Sequence, residues 1–141
     1  MRAKTTLALA VIGGISIATL TGCAGEQSVA DACGTAQTVV ADLQADLATV
    51  SADATDGDFS KVTATFDTLE GKLDEAAGKV SNSEVKTALS NLSTSVSDFN
   101  GLFDGLEDGD IEGLSGKVEE FQTAATGVQD AGLKLDALCT Q

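Results

Sequence analysis

Residues 59–80 read FSKVTATFDTLEGKLDEAAGKV, and the apolar side chains in this stretch recur at alternating steps of three and four. This spacing places them along one face of an α-helix, where they form a seam that packs against neighbouring helices. Asp58 precedes the stretch, and its carboxylate can accept hydrogen bonds from the free amides of the first helical turn. The seam consists of Phe59, Val62, Phe66, Leu69, Leu73, Ala76 and Val80.

Three other segments alternate in the same way, and each predicts a helix. The segment on the N-terminal side contributes Val29, Cys33, Ala36, Val40, Leu43, Leu47, Val50 and Ala54. The next begins at a Ser-x-x-Glu capping box, Ser81-Asn82-Ser83-Glu84, and contributes Val85, Leu89, Leu92, Val96, Phe99, Phe103 and Leu106. The last follows Asp110 as its N-cap and contributes Ile111, Leu114, Val118, Phe121, Ala125, Val128, Gly132, Leu135 and Cys139.

The four seams predict an all-α fold, because no segment of useful length alternates with the period of a strand. Helices of similar length joined by a few residues pack as antiparallel neighbours. We therefore expect an antiparallel up-down-up-down four-helix bundle over residues 29–141. The chain is long enough for one domain with a core of its own.

The N-terminal 22 residues have the pattern of a secretory signal peptide, with Arg2 and Lys4 before an apolar run from Leu7 to Leu20. That run is too short for a retained transmembrane helix. The motif Leu20-Thr21-Gly22-Cys23 resembles the lipobox of bacterial lipoproteins. The resemblance implies cleavage before Cys23, a covalent lipid on Cys23 and anchoring to the outer face of the cell membrane, with residues 23–28 as the lipidated tether. The alternative is a secreted protein that is cut nearby, with Cys23 present by chance.

The three cysteines fit the same compartment. If Cys23 carries the lipid, Cys33 and Cys139 remain as a pair that can oxidise outside the cytoplasm. In an up-down topology, the start of the first helix and the end of the fourth lie at the same end of the bundle. We therefore predict a Cys33–Cys139 disulfide that joins the ends of the domain. Two inert buried thiols are the alternative.

The chain is strongly acidic, with 22 Asp and Glu against 8 Lys and Arg and a net charge of −14. Removal of residues 1–22 takes away Arg2 and Lys4 and no acid, so the net charge becomes −16. The remaining lysines are scattered singly, which excludes nucleic acid as a partner because phosphate binding requires clustered basic side chains. The expected partners are the membrane, through the lipid, and an unidentified envelope or extracellular protein, for which a basic surface suits the acidic shell.

The two acidic interhelix turns are the candidate binding site. In the predicted topology they lie together at the end away from the tether, where Asp56, Asp58, Asp108 and Asp110 favour a divalent cation or a basic partner. Capping and solubility are the competing interpretation of these aspartates. The turns also share a motif, Asp56-Gly57-Asp58-Phe59 and Asp108-Gly109-Asp110-Ile111, which indicates either a doubled helical hairpin or two turns with the same requirements. The crowded carboxylates are Asp53, Asp56, Asp58, Asp104, Glu107, Asp108 and Asp110.

Enzymatic chemistry has little support in the sequence. The chain contains no His, so its serines and threonines have no imidazole to activate them. Haem and zinc also lack plausible ligands. We predict no enzyme activity and no cofactor apart from the covalent lipid on Cys23.

The sequence therefore predicts a lipid-anchored, non-enzymatic binding module of the cell surface or envelope. Its Ala-, Thr-, Asp- and Gly-rich composition resembles that of small lipoproteins of high-GC Gram-positive bacteria. One alternative is a carrier of an apolar ligand, with room left between the helices by Ala36, Ala76, Ala125 and Gly132. Another is a phage-type exclusion lipoprotein.

Overall fold

The computed structural model describes residues 26–140, which form five α-helices and contain no β-strand. The prediction of an all-α fold is confirmed. None of the helices in this range is long and apolar enough to cross a membrane. The elements are α1 (Val29–Asp56), α2 (Phe59–Lys79), α3 (Ser83–Asn100), a 3-10 turn (Gly101–Phe103), α4 (Ile111–Gly116) and α5 (Val118–Cys139).

The long helices pack in chain order, with α1 on α2, α2 on α3 and α3 on α5, while α1 meets α5 less extensively. Helix α2 is the most completely buried, because every residue of its predicted seam is at most 3% exposed. Polar contacts accompany this packing. Asp74 of α2 accepts a hydrogen bond from Ser93 of α3 at 2.7 Å, and Lys72 of α2 pairs with Asp46 of α1 at 2.9 Å.

The seam of α1 is buried for part of its length. Cys33, Ala36, Leu43 and Val50 are in the core, as predicted, whereas Leu47 is 38% exposed. Helix α1 ends at Gly57, whose φ of 76° is the left-handed conformation that glycine adopts without a Cβ penalty. Its amide donates to the carbonyl of Ala54, which closes the last turn of the helix.

The predicted continuous fourth helix is wrong, because the chain leaves helical geometry at Lys117, between α4 and α5. Gly113 and Gly116 weaken the helix on the N-terminal side of this break. The Lys117 ammonium donates to the carbonyl of Leu102 at 2.7 Å and thereby ties the junction to the 3-10 turn. The contact between Lys117 and Leu102 therefore lies next to the glycines that weaken the predicted helix.

Helix α5 also presents a slightly different face from the predicted one. Ala131 and Leu135 are buried, whereas Ala125 is exposed. Ile111 and Val118, which the predicted seam placed in the core, are 51% and 48% exposed. Helix α5 packs mainly on α3 and less extensively on α1, so the face that is buried is the one toward α3. Ile111 lies in the short helix α4, which has no buried residue.

The third helix ends earlier than predicted, at Asn100, and the 3-10 turn continues the chain to Phe103. Phe103 is 5% exposed, and its ring lies 4.8 Å from that of Phe121 in α5. Edge-to-face contacts of this kind add to the stabilisation from burial. The ring contacts join all five phenylalanines of the chain into one cluster near the acidic turns, formed by Phe59, Phe66, Phe99, Phe103 and Phe121.

Candidate functional site

One end of the helical domain is closed by the Cys33–Cys139 disulfide, which confirms the predicted pairing. Cys33 lies near the start of α1 and Cys139 is the last residue of α5, with their Cα atoms 5.4 Å apart. The Cys33 side chain is buried in the core, and Cys139 is partly buried beside it. We call this end, together with the α2–α3 turn at Ser81–Ser83, the clasp end.

The segment before α1 is docked onto the α2–α3 turn. The Gln27 amide donates to Ser81 Oγ at 3.1 Å, and the Ser81 amide donates to Gln27 Oε1 at 3.2 Å. The Asn82 side chain donates to the Gln27 carbonyl at 3.0 Å. The amide of Ser83 donates to Glu26. The Ser83 hydroxyl and, to a smaller extent, this amide lower the pKa of the Glu26 carboxyl. Glu26 and Gln27 are thereby fixed to the turn, and Cys23 lies outside the described residues, three positions before Glu26.

The capping box predicted at Ser81 takes a different form. Asn82 is the N-cap of α3, and its side chain accepts from the Val85 amide at 3.0 Å. The Ser81 hydroxyl instead accepts from Gln27. The sequence signal was correct in marking a helix start, but the polar residues of this turn are shared between the cap and the docked segment.

The opposite end, which we call the turn end, brings the two acidic turns into contact. The Gly109 amide donates to the Gly57 carbonyl at 2.8 Å. Both glycines have a positive φ, 76° for Gly57 and 83° for Gly109, so each turn depends on a residue without a side chain. The expectation that these turns lie together is confirmed.

Three of the four aspartates of the predicted cation site, Asp58, Asp108 and Asp110, accept hydrogen bonds from backbone amides. Asp58 caps α2 by accepting from the Lys61 amide, and Asp110 caps α4 by accepting from the Gly113 amide at 2.9 Å. Asp56 is exposed. Within residues 26–140, no group of three or more potential ligand side chains is arranged to hold a metal ion. A cation bound by Asp56, Asp58, Asp108 and Asp110 stays a prediction.

The two copies of the Asp-Gly-Asp motif have the same turn and the same helix cap. Both copies place a left-handed glycine before a capping aspartate. Beyond the cap the copies diverge, because Phe59 is 1% exposed and Ile111 is 51% exposed. Helix α2 then continues for 21 residues, whereas α4 ends after 6. These differences favour shared turn chemistry over a doubled hairpin.

Electrostatics at the turn end centre on Asp58. The ammonium of Lys61 bonds to the Asp58 carboxylate, and the Ser60 hydroxyl also donates to it. Both contacts, chiefly that of Lys61, lower the pKa of Asp58 below its ordinary value. The contact with Asp58 also raises the pKa of Lys61, with a smaller contribution from Asp53 and Asp56. At the turn end, the negative charge of the capping residue Asp58 is therefore compensated by Lys61.

A shallow groove between α1 and α5 contains two of the four small residues that the carrier hypothesis names. Its volume is about 240 Å³, and it is lined by Ala36 and Gly132 but not by Ala76 or Ala125. Gln37, Gln44 and Asp136 line it as well. Ligand pockets for small molecules usually measure roughly 300–1,000 Å³ and are mostly apolar. The groove therefore gives the carrier hypothesis less support than the two ends give a binding module.

No protein family, curated protein or solved structure matches this chain. The docking of Glu26 and Gln27 is the feature that the sequence did not reveal. Both residues are polar and lie outside any periodic pattern, so no local signal marks their partners in the α2–α3 turn.

Proposed function

We propose that the protein is a lipid-anchored, non-enzymatic binding module on the outer face of the cell membrane. In this proposal residues 1–22 are a signal peptide and Cys23 carries the lipid. The helices act as an antiparallel up-down-up-down four-helix bundle, in which α4 and α5 together take the place of the fourth helix. The turn end is the binding surface, and an envelope or extracellular protein with a basic surface is the partner.

The observation that carries the proposal is the use of the cysteines. The Cys33–Cys139 disulfide accounts for two of the three cysteines in the chain. The third, Cys23, is the cysteine of the lipobox-like motif. Disulfides persist in oxidising compartments, where lipoproteins of this type reside. The pairing therefore supports both an extracytoplasmic location and the assignment of Cys23 to lipidation.

The placement of charge supports the turn end as the binding surface. Helix α1 has 28 residues, so at 1.5 Å per residue it spans about 42 Å between the clasp end and the turn end. The tether leaves the domain at the clasp end. The acidic turns are thus held away from the anchor, where a concentration of carboxylates attracts a basic partner.

Lipidation is tested with Cys23→Ser in the full chain, expressed in a bacterial host and labelled with an alkyne fatty acid. We expect the label to be lost and the chain to accumulate as precursor or to be released, because nothing else in the sequence predicts lasting membrane affinity. Gln37→Ala, an exposed change on α1, is the control and should keep both the label and the membrane fraction. An unlabelled chain of mature size that stays with the membrane would contradict the proposal.

The binding surface is tested with photo-crosslinking residues on intact cells. A crosslinker at the exposed Glu107 in the turn end is compared with one at Gln37 on the side of α1. We expect one partner to be captured from position 107, with capture lost when Asp104, Asp108 and Asp110 are changed to Asn. Equal capture from both positions would show that the turn end is not the binding surface.

A further inference from the structure

The docking of Glu26 and Gln27 limits the distance between Cys23 and the helical domain. Glu26 and Gln27 are bound to the α2–α3 turn, so Ala24 and Gly25 are the residues between Cys23 and the domain. An extended chain spans at most about 3.6 Å per residue, so the Cα atom of Glu26 lies within about 11 Å of that of Cys23. A lipidated Cys23 sits at the level of the headgroups, which brings the clasp end to the same level.

We infer that the clasp end is a membrane-facing surface: the exposed Ser81 and Ser83 contact the phospholipid headgroups, and the long helices stand on the bilayer. This inference rests on the proposed lipid anchor and adds an orientation to it. A lipid on a flexible tether would let the domain rotate freely. Hydrogen bonds between this two-residue segment and three consecutive residues, Ser81, Asn82 and Ser83, remove much of that freedom.

The distribution of charge is compatible with this orientation. Lys79 lies in the last turn of α2, Lys86 in the first turns of α3 and Lys134 near the end of α5, so all three are close to the clasp end. They offset in part the carboxylates of the same end, which are Glu26, Asp31, Glu75, Glu84 and Asp136. The carboxylates of the turn end lie at the far end of the helices. An anionic bilayer therefore repels the turn end more strongly than the clasp end, which favours the upright arrangement.

The polar chemistry of the α2–α3 turn suits the headgroup layer. Ser81 and Ser83 are exposed, and hydroxyl groups can exchange hydrogen bonds with phosphate and glycerol oxygens. The described side chains of the α2–α3 turn, Ser81, Asn82 and Ser83, are all polar. The turn therefore rests on the headgroups, while the lipid on Cys23 supplies the affinity.

The test uses the full lipidated protein, labelled with ¹⁵N, in nanodiscs of phosphatidylcholine and phosphatidylglycerol. A small fraction of the lipids carries a gadolinium chelate on the headgroup, and amide line broadening is measured for each residue. We expect strong broadening at Gln27 and Ser81–Ser83, a decline along α2 and α3, and little broadening at Gly57 and Gly109. Equal broadening at both ends, or the strongest broadening along one side of the helices, would overturn the inference.

Two variants test the role of the docked segment. Glu26→Ala combined with Gln27→Ala removes the side-chain bonds to Ser83 and Ser81 and should reduce the difference between the two ends. Gln37→Ala is the matched control and should leave the gradient unchanged. A six-residue Gly-Ser insertion between Gly25 and Glu26 leaves every described contact in place, and it should lower the broadening at Ser81–Ser83 because the domain can then move away.

The outcomes separate this inference from the proposed function. A protein that does not partition into nanodiscs and carries no lipid contradicts the anchor itself. A lipidated protein on nanodiscs without a gradient of broadening contradicts the orientation and leaves the anchor intact. A wild-type gradient that persists unchanged in the insertion variant shows that the docked tether does not set the orientation.

Discussion

Asp108 accepts two hydrogen bonds from Ser60, one from the amide nitrogen at 2.8 Å and one from the hydroxyl at 3.0 Å. Ser60 is the second residue of α2, and Asp58 already accepts from the third, Lys61. The first turn of α2 therefore has two carboxylate caps, one from its own chain segment and one from the loop before α4. Caps of this kind stabilise both the free amides and the helix dipole. The acidic residues of the turn end thus have a structural role alongside any binding role.

Loss of the disulfide should strongly destabilise the protein. Cys33 and Cys139 are separated by 106 positions, and in the chain-entropy model a loop of about 100 residues contributes about 4.7 kcal/mol. We expect Cys33→Ala combined with Cys139→Ala to lower the melting temperature markedly, and reductant to have the same effect on the wild type. Thermal unfolding followed by circular dichroism measures this. Thiol labelling of the unreduced, denatured wild type should find neither cysteine free, and ready labelling of both would contradict the pairing.

Gly113 and Gly116 should respond in opposite directions to alanine. A Cβ atom on Gly113 would overlap the Asp110 carboxylate and lie 2.7 Å from Leu106 Cδ2, so Gly113→Ala displaces the cap of α4. We expect it to lower the free energy of unfolding by about 1 kcal/mol. Gly116 has no such neighbour, and Gly116→Ala should raise that free energy by roughly 0.5–1 kcal/mol through helix propensity. Urea denaturation of the two variants measures both free energies of unfolding. Equal changes in the two variants would show that displacement of the Asp110 cap is not the cause.

Calcium and sodium should stabilise the protein equally at the same ionic strength. Asp58, Asp108 and Asp110 already accept hydrogen bonds at the turn end, so we expect salt to act by screening repulsion among the carboxylates. Melting temperatures in millimolar calcium against a sodium control measure this. A gain specific to calcium that disappears when Asp56, Asp58, Asp108 and Asp110 are changed to Asn would instead establish the cation site, because Asn keeps the capping ability and removes charge.

The contribution of Asp58 to stability should depend on pH. Its pKa is lowered chiefly by the hydrogen bond from Lys61, so the stabilisation is present above the ordinary pKa of Asp and is lost as the pH falls through the lowered value. Lys61→Met should raise the pKa of Asp58 and reduce stability near neutral pH, with the difference from wild type vanishing in acid. Carboxyl ¹³C shifts across the titration measure the pKa. Lys86→Met, which changes an exposed lysine of α3, is the control and should leave the Asp58 titration unchanged.

Local apolar patterning predicts burial best where a helix has neighbours along its whole seam. Every predicted core position of α2 is buried, because this helix has neighbours in α1 and α3 and a seam of large apolar residues. Leu47 is exposed although it fits its seam equally well, because α1 meets α5 less extensively. Periodicity specifies which residues share a face, but the neighbours available to that face decide whether it is buried.

The break at Lys117 and the docking of Gln27 were beyond prediction for a related reason. Lys117 leaves helical geometry where its ammonium reaches the Leu102 carbonyl, and Gln27 is held by residues of the α2–α3 turn. Both arrangements depend on partners that are distant in the sequence. The cysteine pair was predictable because Cys33 and Cys139 both lie on seam positions and at a shared end of the predicted bundle.

The disulfide also gives the molecule the connectivity of a closed covalent ring. The ring runs from Cys33 to Cys139, and every interhelix connection of the described residues lies inside it. A protease that cuts one of these connections opens the ring into a linear chain and releases no fragment. Cys23 lies outside the ring, so a nicked protein anchored there would stay whole on the membrane until a reductant separated its two pieces.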